Sequence, residues 1–106
     1  MRTQDIETVI RQTLRRHIDW DKTYVFVFGS RASGEARSAS DYDIGLYQGE
    51  KIPLSTLSKI KKELEDSRIP VTVDVVDFSR ADAEFKKIAL KEIALWSIPK
   101  TGLKLI

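Results

Sequence analysis

The sequence predicts a small α/β domain in which a short mixed β-sheet is flanked by helices, as one unit over residues 1–106. Apolar residues recur at helical spacing in three stretches, at Ile6–Ile18, Leu54–Leu64 and Phe85–Ile93. Three runs rich in β-branched and aromatic residues, Thr23–Phe28, Tyr42–Tyr47 and Val71–Val76, alternate with them as strands. With 106 residues, 42% of them hydrophobic, the chain can build one modest core and is too apolar to stay disordered.

Taken in order, Ile6, Val9, Ile10, Leu14 and Ile18 put one apolar stripe on a helix over residues 5–18, with Asp5 or Thr3 available as its cap. Trp20 follows and closes an edge of the core. Thr23–Phe28 is a buried strand that Gly29 ends. A short helix is expected over Arg31–Arg37, bent or broken at Gly34. Tyr42–Tyr47 is the next strand, where Gly45 marks a close backbone approach. Pro53 opens a helix that runs to about Asp66. Pro70 separates it from the strand Val71–Val76. Ser79 and Asp82 form a capping-box pattern ahead of a last helix that ends near Trp96–Ser97. Thr101–Ile106 either adds an edge strand or trails. No repeat or long linker interrupts this order.

Composition excludes several classes. There is no cysteine, so disulfides and thiolate metal sites are ruled out, and a cytoplasmic setting is expected. His17 is the only histidine, which rules out a zinc site of several imidazoles. A net charge of +2 and the lack of a basic tract argue against a nucleic-acid groove. No segment has the length of apolar sequence that a membrane span needs, and the N-terminus does not have the form of a signal peptide.

Gly29 and Ser30 sit where a strand gives way to a helix. A glycine there lets the backbone turn tightly and approach a ligand, and the first N–H groups of a helix favour an anion. Arg31 and Arg37 add positive charge nearby, with water as the alternative surroundings of either. The same dipeptide can equally be a strand end followed by a helix cap. Neither a Gly-Lys-Ser/Thr phosphate loop nor a dinucleotide-binding glycine pattern occurs.

Asp41 and Asp43 are two apart at the start of a strand, so both carboxylates face one side and can hold a hard cation such as magnesium. A turn cap is the plainer role for Asp41. Asp74 lies among valines, where an unpaired carboxylate would be costly and a metal would offset its charge. An ordinary edge-strand aspartate is the plainer alternative. Asp77 belongs to the turn before Ser79. Three carboxylates suit attack at the α-phosphorus of a nucleoside triphosphate, with magnesium held by Asp41, Asp43 and Asp74 and the incoming hydroxyl oriented by Asp74. Hydrolysis by water would use similar geometry.

The stretch Gly29-Ser30-Arg31-Ala32-Ser33-Gly34, five residues, then Ser40-Asp41-Tyr42-Asp43-Ile44-Gly45 resembles the signature of the polymerase-beta-like nucleotidyltransferase superfamily. A chain this short resembles the minimal nucleotidyltransferases of bacteria and archaea. The likeness runs from the first helix to Lys91–Trp96. It implies that Gly29 and Ser30 bind the β- and γ-phosphates, with Arg31 beside them. It also implies that Asp41 and Asp43 are the paired metal ligands, that Asp74 is the third carboxylate, and that two magnesium ions assist with ATP as substrate. Ser33 departs from the family pattern, in which arginine is frequent there. The resemblance further implies a partner, an all-helical HEPN-domain toxin, neutralised by AMP placed on a tyrosine hydroxyl. A non-catalytic binding antitoxin and a transferase for RNA ends or a small alcohol are the competing readings. Base preference and whether the assembly is a homo- or hetero-oligomer stay open.

The remaining residues have plainer roles. His17 is a surface histidine at a helix C-terminus, and Lys51, Lys59, Lys61 and Lys62 line a solvated face. Trp20, Trp96 and Phe85 are core or interface groups rather than base-stacking ones. Lys86, Lys87 and Lys91 fall on an exposed helical face.

Overall fold

The computed structural model describes residues 1–34 and 41–105. Helix α1 (Thr3–His17) is followed by a single 3-10 turn (Trp20–Lys22), strand β1 (Tyr24–Phe28), the short helix α2 (Ser30–Ser33) and strand β2 (Tyr42–Tyr47). Then come α3 (Leu54–Asp66), β3 (Val73–Asp77), α4 (Ala83–Ala89) and β4 (Ala94–Ser97). The sheet order is β3-β2-β1-β4, with β1 antiparallel to both β2 and β4, and β2 parallel to β3. This is the mixed sheet that the sequence predicts.

Strand alternation divides the core in two. Val25, Val27, Tyr42, Ile44 and Leu46 face α1 and α3, and pack with Ile6, Ile10, Leu14, Ile60 and Leu64. Each fully buried aliphatic side chain there contributes about 2 kcal/mol. The α1–α3 pair is also tied at its surface, where Glu63 meets Arg16 at 2.9 Å and His17 at 2.8 Å. The hydrogen bond from His17, and then that from Arg16, holds the Glu63 carboxyl below the usual range.

On the opposite face Phe26, Phe28 and Phe78 form a second core. Their rings meet edge to face, with Phe26–Phe78 centroids 4.8 Å apart and Phe28–Phe78 centroids 5.3 Å apart. Gly45 has no side chain because the Phe26 ring crosses it, and a Cβ there would collide with that ring.

The C-terminal third differs from expectation. The last helix ends at Ala89, and Ala94–Ser97 is a fourth strand, not a continuation of the helix. Residues Ala94 and Leu95 pair with Val27 and Phe26, covering the edge that β1 would otherwise leave open. Trp96 then packs against the α1-side core, with the Arg11 guanidinium 4.4 Å from its ring centroid. The cap of α4 is Asp82, which accepts from the Phe85 N–H at 2.8 Å; Ser79 plays no part in it. Smaller shifts occur elsewhere. Helix α1 starts at Thr3 with Arg2 at its cap position, and the third strand runs Val73–Asp77. Helix α2 stops where Gly34 turns left-handed (φ 81°). The rest of the expected 31–37 helix, Arg37 included, lies outside the described residues, as do 38–40. No strand is assigned within residues 101–105. Among the described residues no helix is long and apolar enough to cross a membrane.

Candidate active site

The site lies at one end of the sheet, on the phenylalanine face. The register sets Asp74 beside Asp43 and Asp43 beside Phe28, in a row across β3, β2 and β1. Neighbouring strands are about 4.8 Å apart, so the two carboxylates share one neighbourhood. Asp41 stands one residue before β2, exposed, and its charge also reaches Asp43. Burial, then repulsion from Asp74 and from Asp41, pushes the Asp43 carboxyl above the usual range. Three like charges are thus gathered, with Asp43 half-buried at the centre and Asp74 exposed on an edge strand.

Gly29 packs against this centre. Its backbone is left-handed (φ 73°), and a Cβ would collide with Asp43 Oδ2. Two separate constraints therefore require glycine: the turn itself and the closeness of the carboxylate. The Gly29 carbonyl accepts from Ala32 N–H at 3.1 Å and from Ser33 N–H at 3.2 Å, which winds α2 from Ser30 directly above the end of β1. Ser33 Oγ donates back to the Ser30 carbonyl at 3.1 Å, closing the same turn.

Arg31 lies elsewhere. Its guanidinium is 4.1 Å from the centroid of the Tyr42 ring, and Tyr42 alternates with Asp43 onto the α1 side of the sheet. The Tyr42 hydroxyl donates to Glu7 at 2.9 Å. Burial first, and then that bond, push its pKa up to about 12. The sequence held no sign of this cluster, because Glu7 and Tyr42 are 35 residues apart.

Asp77 is the fourth aspartate of the region and has a different role. Its side chain is 1% exposed and accepts from Ile52 N–H at 2.8 Å and from Ser79 N–H at 3.0 Å. Arg80 adds an ion pair at 3.4 Å and donates to the Ile52 carbonyl at 2.9 Å. Asp77 is the last residue of β3, paired with Leu46, and not part of the turn before Ser79 that the sequence suggests; from there its carboxylate caps that turn and pins the loop that enters α3.

A cavity of about 460 Å³ opens beside the Gly29–Ser30 turn, walled by Phe28, Phe85, Ile88 and Ala89 and edged by Ser33, Lys91 and Glu92. From the sequence alone, Phe85 reads as a core or interface group. The i, i+3 pair Phe85–Ile88 was the available signal for this wall, but it also fits an ordinary packed helix face.

The carboxylates offer oxygen donors only, which suits a hard cation. Among the described residues no group of three His, Asp or Glu side chains closes on one point as a ready-made metal cage. Magnesium does not need one. It is held by one or two carboxylates and completed by phosphate oxygens and water. The gathered negative charge around Asp43 and the glycine cradle beside it fit such an ion.

A family model described as "Polymerase beta, Nucleotidyltransferase" matches residues 9–99. The chain belongs to this nucleotidyltransferase family. It is 29% identical over 85 residues to the probable protein adenylyltransferase MntA of Haemophilus influenzae, covering 80% of this chain and 74% of that protein. Two solved structures share the fold. A toxin–antitoxin crystal structure with AMP-PNP superposes with a TM-score of 0.69 at 22% identity, covering 87% of this chain and 73% of the other. A tri-AMPylated Shewanella oneidensis HEPN toxin in complex with MNT antitoxin gives a TM-score of 0.67 at 21% identity, covering 90% and 72% of the two chains.

Proposed function

We propose that this nucleotidyltransferase moves AMP from ATP to a tyrosine hydroxyl of a HEPN-domain toxin and acts as its antitoxin. The observation that carries the proposal is the row of Asp74, Asp43 and the Gly29 cradle on one sheet face, in a chain of this family. The likeness to MntA, named a probable protein adenylyltransferase, and to antitoxins solved beside a HEPN toxin supports the choice of acceptor.

In this reading Gly29 and Ser30 receive the β- and γ-phosphates through backbone N–H groups and the Ser30 hydroxyl. Asp41, Asp43 and Asp74 would hold two magnesium ions, which neutralise triphosphate charge and polarise the α-phosphoryl group. Asp74, exposed on the edge strand, meets the acceptor from outside the sheet. It accepts the hydroxyl proton and orients the oxygen for in-line attack. A bond forms between that oxygen and the α-phosphorus, the bond to the β-phosphate oxygen breaks, and pyrophosphate leaves. Arg31 is assigned a positioning role, holding α2 over Tyr42. The reaction belongs to the cytoplasm, where ATP and magnesium are abundant.

The test uses the toxin incubated with this chain, magnesium and ATP labelled at either the α- or the γ-phosphate. Label from the α-position alone should enter the toxin, and pyrophosphate should accumulate in equal amount. Transfer of γ-label, or release of AMP without labelled protein, would refute protein adenylylation.

A further inference from the structure

The sheet has an open edge on the side away from the Gly29 turn. Strand β3 is outermost there and, among the described residues, pairs only with β2. Its main-chain bonds alternate. The Tyr42 N–H donates to the Thr72 carbonyl at 2.9 Å, and the Phe78 N–H donates to the Leu46 carbonyl at 2.8 Å. In that register the even-numbered residues turn their N–H and C=O groups to β2, so those of Val73 and Val75 turn outward. Two recesses, of about 430 and 190 Å³, lie between this edge and α3, and both are bordered by Lys61, Val73 and Asp74. The smaller is walled by Leu54, Leu57, Ser58 and Val75, and Leu54 is 63% exposed. Strand β3 has no lysine or proline, and its register with β2 runs without a bulge, so the strand itself does not block further pairing.

We infer that this edge takes up an extended segment of the toxin as a fifth strand, and that this segment carries the tyrosine that receives AMP. The inference rests on the adenylylation reading above and specifies how the acceptor is presented. Main-chain bonds to Val73 and Val75 hold the segment, and its alternate side chains are sorted to the two faces of the sheet. The residue set beside Asp74 faces the carboxylates, because it extends the row Phe28, Asp43, Asp74 by one more strand spacing, about 4.8 Å. A tyrosine at that place has its hydroxyl on the face where Asp74 takes the proton. Its two chain neighbours point to the opposite face, toward the recesses under α3, where Leu57, Val73 and Val75 favour apolar side chains. The segment that fits is a tyrosine between two apolar residues in extended chain. A second copy of this chain is a poorer occupant. Antiparallel pairing of two β3 edges through Val73 and Val75 sets the two Asp74 carboxylates directly opposite each other.

Two measurements on the full chain test this. Backbone amide exchange is followed residue by residue, with the chain free and saturated with toxin. The Val73 and Val75 amides should slow at least about tenfold on toxin binding, against Asp74 and Val76, which already bond to β2, as the reference. Transfer of label from α-labelled ATP is then measured over a range of toxin concentrations for wild type and Ser58→Trp. Ser58 is exposed, and a tryptophan there fills the smaller recess. The variant should raise the KM for toxin about tenfold and leave kcat and the KM for ATP unchanged. Label entering the toxin while the two amides exchange as in the free chain would overturn strand addition and leave adenylylation standing. So would an unchanged KM for toxin in Ser58→Trp. No label in the toxin with wild type would overturn the acceptor reading and this inference together.

Discussion

Asp43 carries the main electrostatic cost of the site. Its carboxyl is pushed up by burial, then by Asp74 and Asp41, so its folded pKa lies above the unfolded value. The sign follows from linkage. Below the unfolded pKa of about 3.9 the carboxyl is protonated in both states and the cost is absent. As pH rises through the folded pKa the cost appears in full. Asp43→Asn should therefore raise the Tm at neutral pH in magnesium-free buffer while abolishing transfer, and the gain should vanish in acid. Thermal melts across the acid and neutral range check this, and an unchanged neutral Tm would count against a crowded carboxylate centre. Gly29→Ala should cost about 100-fold in transfer rate, since a left-handed backbone and a collision with Asp43 both displace the turn. Asp74→Asn should lower transfer about 1,000-fold and leave ATP binding in place, separating proton acceptance from nucleotide grip. Asp77→Ala should instead cost about 3 kcal/mol of stability, measured by denaturant unfolding, because it strands buried N–H groups and Arg80. Asp41 and Asp43 were legible in the sequence because a period of two places them on one face. The role of Asp77 was not, because its partner Ile52 is 25 residues away. For Arg31 the sequence shows only proximity to the turn, and the contact with Tyr42, which alternates with Asp43, reveals which side of the sheet it joins.

Elements with strong periodicity were visible before the structure. Helices α1 and α3 show their stripes, and β1 and β2 show their apolar and aromatic runs. The segment after Ile88 misled because Ile93 and Trp96 satisfy helical spacing, while Ala94-Leu-Trp-Ser also satisfies a period of two. The decision is tertiary: β1 has an open edge, and residues 94–97 reach it. Gly45 belongs to the same scale, since it is the place where β2 lets the Phe26 ring cross. Gly45→Ala should cost about 2 kcal/mol in denaturant unfolding, as that buried ring has nowhere to move. A neutral effect would mean that the phenylalanine layer beneath the carboxylates is looser than its edge-to-face contacts indicate.

At the scale of the molecule, a four-stranded sheet packs one face on α1 and α3 and most of the other on the phenylalanine core, and the carboxylates gather at one end of that second face. That face is ordered from one edge to the other. Asp74 stands at the exposed edge, Asp43 beside it, the Gly29 turn above the end of β1, and the apolar cleft against α4. Such an order admits an acceptor from one side and a nucleotide from the other. The measurement that tests this account most directly is the intact mass of the HEPN toxin co-expressed with this chain, either wild type or carrying Asp41→Asn with Asp43→Asn. The account predicts mass added in units of AMP with wild type and none with the double variant. An unmodified toxin that is neutralised equally by both would contradict it, and would make this chain an antitoxin that acts by binding alone.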